Sequence, residues 1–400
     1  MSHRPLVAAL AVLALAAPAR SAAAPPPAVG TAKAAIVVDG RDGAVMFEKN
    51  PDRRRSMAST TKLMTALLTL ERTGPGQVFT APAYSAQPAE SQINLGKGER
   101  MRVEDLLEAL LLESANDAAE TLADGIAGSR SRFVALMNRR ASELGLGETS
   151  YANPIGLDDP GNYSSARDLA ALAVRLMHER RFATIVDKPE AVLESGSHRR
   201  VVDNRNDLVG RYPFVDGVKT GHTIDAGYVL VGAAYGYGGA EVVSVVLGEP
   251  SESARDADTL ALLRWGLGQF RRQTVIDRRH VLARPAVKYR GDHASLVPRR
   301  SLTLTLRKGE EVRRRIDAPG QVEGPLAAGE KVGTVSVTLD GKLVRRIALV
   351  TAARVPGAGP LRVLFSSLGV PLLLLFLSCA LGAAALIARR LNARQRTVRE

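Results

Sequence analysis

Apolar and polar positions follow two rhythms along this chain. From Ala34 to about Phe270, strand-like runs bracket a series of helical ones. Ala34-Ala35-Ile36-Val37-Val38 reads as a strand, and the turn residues Asp39-Gly40 and Asp42-Gly43 return the chain through Ala44 to Glu48 as a second. After Ser59, a good cap residue, Leu63, Met64, Leu67, Leu68 and Leu70 recur at helical spacing until Gly74-Pro75. Val103 to Leu112 predicts a buried helix. Further helices are expected from about Asp117 to Ala127, Phe133 to Leu144, and Ala166 to Met177 with Ser164 or Ser165 as cap. Val215 to His222 predicts a strand beside a hairpin of Tyr228 to Ala234 and Glu241 to Leu247, joined through Gly236, Gly238 and Gly239. Ala254 to Phe270 closes the segment as a helix. Strands at both ends with helices between them predict an antiparallel sheet flanked by helices, an α+β fold.

From about Gln273 the rhythm changes. Ser301 to Leu306 alternates with period two, Val332 to Leu339 does so roughly, and Asp340-Gly341 offers a turn before Lys342 to Leu349. These runs predict a small all-β domain over 273–355 with no catalytic constellation of its own, acting as a spacer or docking platform next to a membrane. The chain ends supply the address. His3 and Arg4 precede an apolar run from Leu6 to Ala17, and small residues reach Ala24, which predicts a signal peptide over 1–24. Val363 to Ala388 holds no charged residue and is bracketed by Arg362 and Arg389. It predicts a transmembrane helix, kinked or placed near one interface at Pro371. The basic tail 389–400 is then expected on the cytoplasmic side, with the main body outside and held at the cell membrane by a single pass.

Composition adds exclusions. The formal charge is +13. Arg4 and Arg20 lie in the leader and the tail after Ala388 carries a net +4, which leaves a moderately basic body suited to an anionic surrounding. No motif for nucleic acid is present, so no nucleic-acid partner is expected. The single cysteine, Cys379, excludes an internal disulfide and lies in the apolar run. Six scattered histidines show no ligand spacing, so neither a metal nor another cofactor is expected.

Three short motifs carry the chemistry, in this order: Ser59-Thr60-Thr61-Lys62, Ser114-Ala115-Asn116 and Lys219-Thr220-Gly221. Each alone is weak; a match to the first arises roughly once by chance in a chain of this size. Together they form the signature set of serine penicillin-binding proteins and class A β-lactamases. Ser59 and Lys62, three apart on one helix, share a face, so Lys62 is placed to take the Ser59 proton. Burial and a second cation, Lys219, favour its neutral form. Ser114 is placed to relay a proton to the leaving amine, and Asn116 to bond Lys62 and a substrate amide. Thr220 is a hydroxyl for a substrate carboxylate, Gly221 lets a ligand backbone approach, and the His222 N–H joins that of Ser59 as an oxyanion hole.

The chain resembles the low-molecular-weight penicillin-binding proteins, the serine-type D-alanyl-D-alanine carboxypeptidases. The resemblance extends to Met57-Ala58-Ser59-Thr60-Thr61-Lys62-Leu63-Met64, Phe133 to Asn138, Asn153-Pro154-Ile155-Gly156-Leu157, Ser164 to Leu169, and Asp216 to Thr223. It covers about Ala34 to Phe270 strongly and the β-rich module more loosely. It implies a β-lactamase/transpeptidase-like catalytic domain over 34–272. It also implies that Ser59 forms an acyl-enzyme with the penultimate D-alanine of a peptidoglycan stem pentapeptide, releases the terminal D-alanine, and is acylated by β-lactams as covalent inhibitors. Lys62 is the implied base, Ser114 and Lys219 the proton route, and Arg255 the implied partner of the terminal carboxylate. Ile155 is apolar where some members carry a polar side chain, so the loop from Asn153 to Asp168 is expected to contribute little to deacylation. Alternatives are a class A-like β-lactamase and a non-catalytic cell-wall-binding scaffold of the same fold.

Overall fold

The computed structural model describes residues 25–87 and 90–396, with some side chains near the C-terminal end outside the description. The expected signal peptide at 1–24 lies outside the described residues. The chain divides into two compact units, Met1–Gln269 and Phe270–Glu400.

In the first unit, β1 (Ala34–Asp39), β2 (Val45–Lys49), β3 (Val215–Thr223), β4 (Gly227–Gly236) and β5 (Ala240–Glu249) make one antiparallel sheet in the order β2-β1-β5-β4-β3. The first strand of the unit thus pairs with the last, and Ile36 faces Val245 across that seam. All six residues of β1 are buried, as in a strand covered on both faces. β3 forms one edge of the sheet.

The helices are α1 (Lys62–Arg72), α2 (Val103–Glu108), α3 (Asn116–Ala127), α4 (Arg130–Glu143), α5 (Ala166–Met177), α6 (Arg180–Val186) and α7 (Glu252–Leu267). α1 is a core helix whose first eight residues are all buried. Its buried hydroxyls are satisfied locally: Thr65 Oγ1 donates to Pro154 O at 2.8 Å and Thr69 Oγ1 to Thr65 O at 2.7 Å. Ser165 caps α5, its Oγ accepting from Asp168 N at 3.1 Å. Ser251 likewise caps α7, so that helix starts two residues before the expected Ala254 and stops at Leu267; Phe270 begins the next strand. The run read as one helix from Val103 to Leu112 is α2 followed by a π-helical turn at Ala109–Glu113. Periodicity over so short a stretch does not separate the two windings.

In the second unit, β6 (Phe270–Ile276) pairs with β8 (Leu302–Arg307). β7 (Leu296–Pro298), β9 (Val312–Asp317), β10 (Lys331–Leu339) and β11 (Lys342–Thr351) form an antiparallel sheet in the order β7-β11-β10-β9. Val275, Ile276, Leu296, Leu306, Val335, Val337, Ile347 and Leu349 form its core. Asp340 and Gly341 both adopt positive φ, the tight hairpin turn that Asp-Gly favours. Pro360–Arg396 is one helix, α8. Among the described residues no helix is long and apolar enough to cross a membrane, so the transmembrane helix expected at 363–388 is not supported there.

Candidate active site

The nucleophile sits on a tight turn. Ala58–Thr61 is a 3-10 turn that runs directly into α1. Ser59 does not cap the helix, as its sequence position suggested; Thr60 Oγ1 donates to Met57 O at 2.6 Å instead, and the Ser59 hydroxyl faces Lys62. Ala58 has φ +47°, a left-handed conformation that costs a non-glycine residue about 1–2 kcal/mol. Ser114, in the second motif, also has a positive φ, +65°. Local strain at both motifs fits residues held for chemistry.

Lys62 is fully buried. Its Nζ lies 3.0 Å from Ser59 Oγ, 2.6 Å from Asn116 Oδ1 and 2.6 Å from the Ile155 carbonyl oxygen. As a neutral amine it donates its two N–H groups to the two carbonyl oxygens. The remaining tetrahedral direction, the lone pair, then faces the serine. Burial pushes the Lys62 amine well below its usual range, and the Lys219 charge pushes it the same way; Glu90, Asp117 and Glu120 oppose them.

The third motif lies on the edge strand β3. An ideal Cβ on Gly221 would sit 2.9 Å from the Ser59 backbone nitrogen and 3.0 Å from Ala58 Cβ, so only glycine lets β3 come this close to the nucleophile turn. Gly156 plays the same part for the 153–168 loop: its φ is +96°, and a Cβ there would stand 2.0 Å from Ala58 O. Thr220 and Lys219 are buried; Lys219 Nζ donates to Thr220 O at 3.2 Å. Burial first, and the Arg205 and Arg255 charges against that of Glu113, bring the Lys219 amine down to about 7. The exposed His222 ring stacks on Tyr228, with centroids 4.0 Å apart.

Ser59, Lys62 and Asn116 are therefore joined by hydrogen bonds, and Gly221 brings Lys219, Thr220 and His222 against the same turn. Ser114 is buried directly before α3. Arg255 is placed differently. It is buried on the first turn of α7, and its guanidinium is committed to Glu252 at 2.9 Å and Asp256 at 2.8 Å.

Sequence reasoning missed three participants. The Ile155 carbonyl, held by the Asn153 side chain through the Ile155, Gly156 and Leu157 amides, is a direct partner of Lys62. The 153–168 loop, whose contribution to deacylation was expected to be small, aims the base through its backbone, which no side-chain pattern announces. Glu90 accepts from Asn116 Nδ2 at 2.6 Å and from the Tyr84 hydroxyl. Arg205, half-exposed and paired with Glu113, is the other cation whose charge reaches Lys219. A cavity of about 390 Å³ lined by His178, Asp187, Asp216 and Tyr235 involves none of the three motifs.

The sheet, the lysine-activated serine and the cationic edge strand define a serine acyl-transfer protein of the transpeptidase-like class. The chain belongs to the D-alanyl-D-alanine carboxypeptidase family: that family's model matches residues 20–251, and the model for the C-terminal domain of penicillin-binding protein 5 matches 270–356. It is similar to the D-alanyl-D-alanine carboxypeptidase DacF of Bacillus subtilis, 32% identical over 323 residues, 78% of this chain and 83% of the relative. DacA of Escherichia coli is 31% identical over 341 residues, 81% of this chain and 84% of the relative. The crystal structure of penicillin binding protein 5 from Haemophilus influenzae superposes with TM-score 0.59 at 30% identity, over 84% of this chain and all of that one.

Proposed function

We infer that this protein is a serine-type D-alanyl-D-alanine carboxypeptidase that trims the terminal D-alanine from peptidoglycan stem peptides and is acylated by β-lactams. One observation carries the mechanism: a buried lysine amine 3.0 Å from a serine hydroxyl and 2.6 Å from each of two carbonyl oxygens. Lys62 accepts the Ser59 proton as Oγ attacks the peptide carbonyl. The Ser59 and His222 amides receive the developing oxyanion, where one donor is worth about 3 kcal/mol of barrier. Lys219, poised near neutrality, returns a proton through Ser114 to the departing D-alanine amine. Water then cleaves the ester and frees the trimmed peptide.

Thr220 binds the terminal carboxylate with a nearby cation. Arg205 is the half-exposed one; Arg255 keeps Nε and Nη2 on Asp256 and Glu252 and has its Nη1 donors left for a carboxylate. No observation favours a β-lactamase, because the 153–168 loop carries Asp158, Asp159 and Asp168 but no glutamate to activate water. In the test, fluorescent penicillin labels the wild-type chain and D-alanine is released from a pentapeptide. Ser59→Ala loses both; retention of either rejects the mechanism, and labelling without release identifies a scaffold.

We also propose export by the leader 1–24 and attachment to the cell membrane by α8, with the catalytic unit outside. The support is the uncharged run from Val363 to Ala388 between arginines, about 39 Å long as a helix. Truncation before Leu361 is expected to release the protein from the membrane fraction; an unchanged membrane fraction rejects the anchor.

A further inference from the structure

The charge of this chain is divided by region. Residues 25–269 carry 27 Lys and Arg against 32 Asp and Glu, a net −5, whereas residues 270–356 carry 19 against 8, a net +11. The moderately basic body read from the total is two regions of opposite sign.

The excess has a location. One face of the β7-β11-β10-β9 sheet packs on the core through Val335, Val337, Ile347 and Leu349. Strand alternation sends the intervening residues to the other face. There the register sets Arg315 beside Ser336 and Ser336 beside Arg346, with Arg313 beside Thr338 in the next row. Arg299, whose amide bonds Ala348 O at 2.9 Å, extends this face past the end of β7. All four arginines are exposed. Arg313 pairs with Glu311, and Asp317 closes the far end of β9. Arg299, Arg315 and Arg346 have no acidic partner among the described residues. Like charges side by side on one sheet face weaken it by tenths of a kcal/mol and contribute nothing to folding. A row of hydroxyls between guanidinium groups is instead donor chemistry for phosphate oxygens.

We propose that this face docks onto the anionic phosphate headgroups of the membrane to which α8 attaches the chain. The proposal rests on that attachment for its choice of partner. Eight residues separate Thr351 from Pro360, a tether of at most about 30 Å, so the face stays near any bilayer that holds α8. The net-negative catalytic unit gains nothing from such a surface. Docking therefore favours the C-terminal unit at the bilayer and leaves the catalytic unit free for the wall.

The experiment measures binding of the full chain to phosphatidylcholine vesicles with and without about 30% phosphatidylglycerol, at low and high salt. Wild-type protein is expected to gain affinity from phosphatidylglycerol and to lose the gain in high salt. In Arg313→Gln/Arg315→Gln/Arg346→Gln the gain drops by about fivefold per arginine, roughly a hundredfold in all. The triple lysine replacement retains it, because the contact is with charge. The basic tail after Ala388 is common to all three proteins and cancels. Penicillin labelling at Ser59 is unchanged in each, which reports an intact catalytic unit. An equal gain in the glutamine variant overturns the proposal. So does loss of the gain in the lysine variant. If no protein binds pure phosphatidylcholine, the α8 attachment fails, while the phosphatidylglycerol comparison still judges the face.

Discussion

The two units are both built on antiparallel sheets, yet they use burial in opposite ways. In the catalytic unit β1 is buried throughout and β3, β4 and β5 nearly so. In the C-terminal unit β8, β10 and β11 expose much of one side. The first unit accordingly encloses Lys62, Asn116, Lys219, Thr220 and Arg255, while Thr351 is the one buried polar residue of the second among the described residues. Enclosure makes two amines serve as proton carriers near neutral pH, because water no longer stabilises their charge. Openness leaves the second unit an exposed arginine face. The same strand pattern thus supports chemistry or surface recognition, according to whether the second face is covered.

The largest test of that contrast is Lys219→Ala. Acylation by penicillin is expected to fall about 10²- to 10⁴-fold with loss of the proton donor. The pH profile carries a sign as well. The Lys219 charge helps Lys62 lose its proton, so without it Lys62 stays protonated to higher pH. The acid limb of the residual acylation should move upward, and the alkaline limb set by Lys219 should vanish. An acid limb that stays in place means that the two amines do not sense each other, and the account of shared burial fails.

Much of this site was legible because its side chains announce themselves. Ser59 and Lys62 share a helix face by spacing alone, and Gly221 marks the close approach that an ideal Cβ confirms at 2.9 Å. What stayed hidden was backbone or long-range. The Ile155 carbonyl reaches Lys62 from a loop 93 residues away, and Glu90 meets Asn116 across 26 positions, so neither leaves a local pattern. The ion pairs of Arg255 with Glu252 and Asp256 were likewise invisible to motif spacing, and they leave its expected contact with a carboxylate open. In the second unit, alternation and Asp340-Gly341 predicted the β10–β11 hairpin. The arginine face required the register, which total charge does not contain.

A smaller effect is expected at Glu90. An amide held between an ammonium or amine donor and a carboxylate has one allowed orientation, so Glu90 keeps Asn116 Oδ1 turned to Lys62. Burial opposes the charge on Glu90, yet bonds from Tyr84, the Gln87 amide and Asn116, with the Lys62 charge, hold its carboxyl below the usual value. Glu90→Gln keeps an acceptor for Asn116 and removes the charge that helps Lys62 hold its proton. Acylation at the plateau should fall no more than about threefold, and the acid limb should move to lower pH, opposite to Lys219→Ala. Glu90→Ala, which also frees the amide, should lose about tenfold. Equal losses in both variants with an unmoved limb would reduce Glu90 to a structural contact.

The least effect on catalysis is expected from the other unit, where the change in stability is large. Leu349 is fully buried in the C-terminal core, and Leu349→Ala should cost that unit about 2–5 kcal/mol. Its unfolding, followed by limited proteolysis within 270–356, should begin at a lower temperature. Penicillin acylation of Ser59 should stay within about twofold of wild type, since Leu349 and the motif residues belong to separate cores without shared partners. The mutation removes only apolar contacts in a core that holds no titratable group, so it has no electrostatic route to Lys62. A tenfold loss of acylation would show that the proton carriers depend on packing in the second unit, and the division between an enclosed chemical sheet and an open docking sheet would no longer hold.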